Sequence, residues 1–339
     1  MNTRMFALAA ALLLGAAVYA EAEDKAFELK LSHFLPPSHP LHKALEDWGA
    51  SMEKASNGTI TYKIYPGQQL GRAFDQYDMA RDGIADVTLV VPGYQPGRFP
   101  IIAAGELPFM ISAAKGGSEA LDAWYRKYAA NEMRDVKFCL AFVHYPGAFH
   151  ANKKIVAPND VKGMKVRPAN ATVAHFVTQL GGTNVQASAP EARDILEKGV
   201  AEAVTFPPGT AVFFGIDRIL KYHMDAPLYT TAFTFVFNKA NYDAMSASQK
   251  KVIGDHCTSE WAGRVAKPFD EFERDGKAKL RTELGHDIYG LTPDQLALWK
   301  RAAEPLEKSW AESVRKVGVD PAAAMKELKE QLARYNAGY

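Results

Sequence analysis

Phe27-Glu28-Leu29-Lys30-Leu31 alternates apolar and charged residues with a period of two, the pattern of a half-buried β-strand. Downstream, Leu41, Leu45, Trp48 and Met52 fall on one helical face, and Asn57-Gly58 stops that helix. Ile60, Tyr62 and Ile64 alternate again before a Pro66-Gly67 turn. A helix from about Arg72 runs to Gly83, and residues 87–91 (Val-Thr-Leu-Val-Val) read as a buried strand. The order βαβαβ predicts an α/β fold, a mostly parallel sheet covered by helices.

The same grammar restarts after about residue 150. Helices are predicted over 171–180 and 190–198, ended by Gly181-Gly182 and Gly199, with strands over 203–205 and 219–224. Residues 229–238 (Tyr-Thr-Thr-Ala-Phe-Thr-Phe-Val-Phe-Asn) are β-branched and aromatic, as a central or crossing strand requires. From Ser246 to about Gly285 the pattern is helical, and Pro268 is expected to kink or divide it because proline lacks a backbone donor. Thr292-Pro293 and Asp320-Pro321 predict capped helix starts.

Arg4 followed by the apolar run 5–18 reads as an export leader, too short for the roughly 20 residues of a membrane span. Val18-Tyr19-Ala20 offers one cleavage frame and Ala20-Glu21-Ala22 a second. Residues 1–20 are therefore expected to be a signal peptide, and the mature chain a soluble exported protein that does not insert into the membrane. Without them 39 basic residues face 39 acidic ones, and no basic stripe with interleaved aromatics appears, so nucleic acid is not an expected partner. About 319 residues exceed what one core usually carries, which predicts two domains.

Asp160-Val161-Lys162-Gly163-Met164-Lys165-Val166-Arg167-Pro168 is a turn followed by a short strand that delivers one guanidinium into a loop. A guanidinium presents a rigid planar fork matched to both oxygens of an acid. In an exported chain this predicts a carboxylate binder.

Four segments then carry a family resemblance: Tyr65-Pro66-Gly67-Gln68-Gln69-Leu70-Gly71, and residues 160–168, 191–206 and 238–249. Together they resemble the solute-binding proteins of tripartite ATP-independent periplasmic (TRAP) transporters, the C4-dicarboxylate and organic-acid binders, over essentially the whole mature chain. The resemblance implies two lobes, each a mixed sheet with flanking helices, joined by crossing strands and a long hinge helix. Residues 21–143 and 232–272 are assigned to lobe I, and residues 144–231 and 273–339 to lobe II. It also implies a monomer that closes over a small organic acid and hands it to separate membrane subunits, with no cofactor.

Arg167 matches the family's carboxylate-binding arginine. Sialic-acid binders of the family carry a second arginine about twenty residues earlier, where this chain has Gly147, and many members have Asn where this chain has Phe206. Each unpaired polar group costs about 1–3 kcal/mol, so such a pocket favours an apolar body over a polyhydroxylated one. Phe34, in the loop after the first strand, and Tyr94, just past Val91, are expected to face the same cleft. Phe149 is placed there by sharing a strand face with Gly147, and Asn170 and His150 are expected to contribute polar contacts. The expected ligand is an aromatic or otherwise apolar monocarboxylate. A C4-dicarboxylate or a sugar acid is the alternative, as is presentation to a receptor kinase instead of a transporter.

An enzyme is not expected, since Gly-x-Ser-x-Gly, His-Glu-x-x-His and Gly-x-Gly-x-x-Gly motifs are absent from the sequence. His33, His39 and His42, with prolines between them, do not share a helical face as metal ligands would. Cys139 and Cys257 can pair in an oxidising compartment. Cys139 nevertheless sits in Phe138-Cys139-Leu140-Ala141-Phe142, where burial favours a free thiol.

Overall fold

The computed structural model describes residues 25–339, so the leader expected over residues 1–20 lies outside the described residues. The strands are β1 (Phe27–Ser32), β2 (Ile60–Tyr65), β3 (Val87–Val90), β4 (Val136–Val143), β5 (Ala148–Ala151), β6 (Lys165–Arg167), β7 (Thr183–Asn184), β8 (Ala203–Phe206), β9 (Tyr222–Met224), β10 (Ala232–Asn238) and β11 (Asp287–Tyr289). The helices are α1 (Pro40–Ala55), α2 (Gln76–Arg81), α3 (Ala114–Tyr125), α4 (Ala129–Glu132), α5 (Ala171–Gln179), α6 (Ala192–Glu197), α7 (Pro208–Phe213), α8 (Lys239–Asp243), α9 (Ala247–His256), α10 (Ser259–Thr282), α11 (Pro293–Lys316) and α12 (Pro321–Arg334).

Two mixed sheets result. The first has order β2-β1-β3-β10-β4, with β1 parallel to β2 and β3, and β10 antiparallel to β3 and β4. The second has order β11-β9-β5-β8-β6-β7, with β6 parallel to its neighbours and β5 antiparallel to its own. Each sheet is the centre of one lobe. The chain passes from β4 in lobe I to β5 in lobe II, and returns from β9 to β10. Gly147 N donates to Tyr229 O at 2.8 Å, which ties the two passages together where they cross.

Helix α10 packs on α1 and α3 of lobe I and on α7 of lobe II, so it spans both. It crosses α7 so closely that a Cβ on Gly276 would lie 2.2 Å from Gly209 Cα, an approach only glycine permits. Glu273, one turn earlier, accepts from Thr210 N at 3.0 Å and from Thr210 Oγ1, anchoring the start of α7. Pro268 lies inside this helix and does not divide it, which removes the second of the two expected effects. The break falls at Cys257-Thr258 between α9 and α10, where Thr258 caps the new helix by accepting from Trp261 N.

Residues 273–339 do not all join lobe II. Helix α11 is shared: Trp299 packs on Phe149 and Phe176 of lobe II, while Trp310 Nε1 donates to Ile101 O of lobe I at 3.4 Å. Helix α12 lies on α3 of lobe I, where Trp124 Nε1 donates to Ala324 O at 2.9 Å and Tyr128 Oη to Glu327 Oε2 at 2.6 Å. The capped starts at Pro293 and Pro321 stand where the sequence puts them.

Cys139 and Cys257 form a disulfide, with Cα atoms 4.7 Å apart, which corrects the free-thiol expectation. Cys139 is buried as expected. Its partner arrives through tertiary packing of α9 and α10 on β4, which spacing alone does not reveal.

Buried titratable groups set a pH dependence. Burial is the largest cause lowering His33 and His39 to about 3, His144 and His150 to about 4, and His223 to about 2. Below the ordinary value of 6.5 the unfolded chain takes up protons that these five imidazoles refuse, so stability falls as pH drops. Burial raises Glu106 to about 8 and Glu132 and Glu273 to about 7. Their contribution is complete below 4.5 and is lost as pH rises through 7–8. Between about pH 5 and 6 the imidazoles outweigh the carboxyls by roughly two protons, a slope of ~2–3 kcal/mol per pH unit. Above about pH 7 only the glutamates remain and the slope reverses. Melting temperature should therefore peak near about pH 6.5; a flat profile across pH 5–6 would contradict this balance.

Candidate functional site

Strand ends build the site. The loops after β1 and β3 meet the ends of β6 and β8 across the cleft, and the β4–β5 and β9–β10 passages form its back. The cavity they enclose leaves about 40 Å³ for the centres of water-sized molecules. A wider groove of about 450 Å³ lies between residues 92–107 and α11, but its only buried charged residue is Glu106. Chemistry, more than size, separates the two.

Arg167 ends β6 and is 1% exposed. Its Nε donates to Ala187 O at 2.9 Å and its Nη2 to Tyr94 Oη at 3.3 Å. The plane lies over Phe206, with Cζ 4.7 Å from the ring centroid. Nη1 is buried without a partner, and among the described residues no carboxylate lies within 4.0 Å of the guanidinium. A buried cation without a counter-charge is costly, and an anion entering the cavity removes that cost.

Tyr94 reaches across from lobe I. Its Oη accepts from Arg167 Nη2 and from Ala189 N at 3.0 Å, so its own proton remains to donate. Phe34 packs against it at 6.0 Å between centroids. Phe206 stacks on Phe214 at 5.9 Å, and Phe233 on Phe269 at 6.3 Å. Among the described residues no Asp or Glu lines the cavity, and the histidines that do, His39 and His144, are held neutral by burial. The result is one positive fork at the edge of an aromatic enclosure.

Arg167, Phe206, Phe34 and Tyr94 thus come together around one cavity. Phe149, His150 and Asn170 do not line it. Gly147 and Phe149 do share a side, but that side is the core. A Cβ on Gly147 would meet the Tyr229 ring at 2.8 Å, and Phe149 packs on Trp299 at 5.6 Å. An arginine at position 147 would collide with Tyr229.

His150 has no free nitrogen. Nε2 donates to Phe206 O at 3.0 Å, and Nδ1 accepts from His223 Nδ1 at 2.7 Å. It supports the strand that carries Phe206 instead of reaching the cavity. Asn170 is likewise occupied: Oδ1 accepts from Val173 N as the α5 cap, while Nδ2 donates to Thr230 O and Thr231 Oγ1.

His144, Thr231, Phe233 and Phe269 line the cavity and were not singled out from the sequence. Only His144 left a signal there, as a polar residue ending the apolar run 138–143 before Pro146-Gly147. His39, considered above only as a metal ligand, packs among Phe213, Phe269 and Phe272, apart from the His33–His42 pair.

The chain matches the family described as bacterial extracellular solute-binding protein, family 7, over residues 31–313. It is similar to a TRAP solute-binding protein of Rhodoferax ferrireducens solved with copurified benzoate, at 28% identity and TM-score 0.86, over 92% of this chain and 99% of that one. A marine-metagenome TRAP solute-binding protein specific for aromatic acids, solved with 3-hydroxybenzoate, is 33% identical with TM-score 0.85, over 92% and 99%. A TRAP periplasmic protein of Bordetella bronchiseptica, solved with (R)- and (S)-mandelate, is 25% identical with TM-score 0.86, over 91% and 99%.

Proposed function

This chain belongs to bacterial extracellular solute-binding protein family 7, and from that premise we propose that it captures a small aromatic monocarboxylate between its lobes. The delivery target is the membrane subunits of a TRAP transporter, from a periplasmic location. No helix among the described residues is long and apolar enough to cross a membrane.

The observation that carries this reading is the partnerless Nη1 of Arg167 in a cavity walled by Phe34, Phe206, Phe214, Phe233 and Phe269. A carboxylate meets the fork and the Tyr94 hydroxyl, and an aryl body meets the rings. A dicarboxylate would find no second cation among the lining residues. A sugar acid would leave hydroxyls against phenyl faces, at about 1–3 kcal/mol each. The relatives solved with benzoate, 3-hydroxybenzoate and mandelate support the same ligand class.

Capture proceeds by hinge closure. Arg167 belongs to lobe II and Tyr94 to lobe I, so a ligand touching both favours the closed form by its differential contacts. The acid is held in the closed form and released unchanged when the lobes open.

A thermal-shift panel tests the assignment. An aromatic acid at a hundred times its dissociation constant adds about 2.7 kcal/mol, or roughly 5–10 °C. Succinate and glucuronate should leave the melt unmoved. The opposite ranking would remove the aromatic reading and leave only the family.

A further inference from the structure

We propose that the ligand carries a hydroxyl group, and that Nε2 of His144 accepts its hydrogen bond, so that His144 selects hydroxylated aryl acids over their plain counterparts. The proposal rests on the aromatic-acid reading above and adds to it a second point of recognition.

His144 follows β4, is 6% exposed and lines the same cavity as Arg167. Its ring stands edge-on to Tyr229 at 5.7 Å and to Phe233 at 5.9 Å. Nδ1 donates to Tyr145 O at 2.5 Å. A neutral imidazole has one N–H, so Nε2 is left as a bare lone pair. Nε2 meets no protein donor among the described residues, and it is not among the buried atoms sealed off without a partner. Burial keeps the ring neutral, lowering its pKa to about 4, and the nearby Arg167 charge adds to this.

Apart from Thr210, whose hydroxyl proton is given to Glu273, the other polar side chains of the cavity are donors. Arg167 Nη1 is free, and the Tyr94 hydroxyl, already accepting two N–H bonds, has its proton to give. Thr231 Oγ1 accepts from Asn170 Nδ2 and likewise retains its proton. His39 is the converse of His144: its Nδ1 accepts from Leu41 N, so its Nε2 carries the hydrogen. A carboxylate consumes donors. It cannot satisfy an acceptor, because two lone pairs repel. Nε2 of His144, the lining side-chain acceptor that makes no bond of its own, therefore calls for a ligand O–H. Leaving it unmatched when the cavity closes should cost roughly 5- to 150-fold in affinity.

Calorimetric titration of benzoate against its monohydroxy isomers, and of phenylacetate against mandelate, tests this on the wild-type protein. At least one hydroxylated acid should bind roughly fivefold or more tightly than its plain partner. In His144→Leu the preference should vanish, because the plain acid no longer leaves an acceptor unmatched and binds at least as tightly as before, and His144→Gln, which keeps an acceptor oxygen, should retain part of it. Heteronuclear NMR of the imidazole nitrogens needs no variant: Nε2 should shift with the hydroxylated acid and not with the plain one. Equal binding within every pair overturns the role, as does a preference that survives in His144→Leu. A loss of plain-acid affinity of about tenfold in that variant overturns it too, because His144 would then pair with the carboxylate as a cation. If no aryl acid binds at all, the ligand reading itself fails. Binding of all of them without hydroxyl preference removes only His144.

Discussion

Arg167→Ala should lower affinity for an aromatic monocarboxylate by about 10²-fold or more while leaving the empty protein as stable as before. Breaking a closed-off ion pair by removing one partner costs about 3–5 kcal/mol, and each 1.4 kcal/mol is tenfold. The second half of the expectation comes from the empty cavity. Nη1 is buried with nothing to bond, so the side chain is a burden on the unliganded fold. Its bonds to Ala187 O and Tyr94 Oη offset part of that burden. Removing the whole group deletes cost and gain together. Lysine at this position should not restore binding, because a point charge cannot bond Ala187 O, Tyr94 Oη and the ligand in one plane. Calorimetry of the variant beside its thermal melt separates the two effects. Undiminished affinity would place the acid elsewhere; a collapsed melt would make Arg167 a structural residue.

The residues of this site that were legible in the sequence share one property. Arg167 and Phe206 are the last residues of β6 and β8, and Phe34 and Tyr94 follow β1 and β3 within a few positions. Strand ends of an open α/β sheet converge on its cleft, so position along a strand is enough to place them. Phe149 and His150 lie inside β5, where period-two parity says which residues share a face but not which face meets ligand. His144 comes from the β4–β5 passage, Phe233 from the start of β10 and Phe269 from the middle of α10, and only tertiary packing brings them to one wall. The fold divides the same way. Alternation, caps and glycine stops are local, and they give the βαβαβ order and the starts of α11 and α12. The lobe that receives α12 is decided by Trp124 and Tyr128, some 200 residues earlier in the chain.

The disulfide is the other long-range feature, and its removal should be the largest single loss of stability. It closes a loop with a sequence separation of 118 residues. By chain entropy such a loop is worth about 4–5 kcal/mol, with measured disulfides falling more often at 2–4. The double variant Cys139→Ala/Cys257→Ala avoids placing a hydroxyl where Cys139 is fully buried. It should melt roughly 10 °C lower than the oxidised protein, at about 2–4 °C per kcal/mol. Reduction of the wild type should move the melt in the same direction. Ligand affinity at room temperature should hardly change, for a reason visible in the topology. Cys139 lies on β4 and Cys257 just before α10, where α10 still packs on lobe I. The bond therefore braces one lobe and does not span the hinge, so closure proceeds as before. An unmoved melt would mean that the folded contacts of α9 and α10 already hold β4 without help. A tenfold loss of affinity would mean that the bond sets the angle at which α10 leaves lobe I, and so the fit of Phe269 against the ligand.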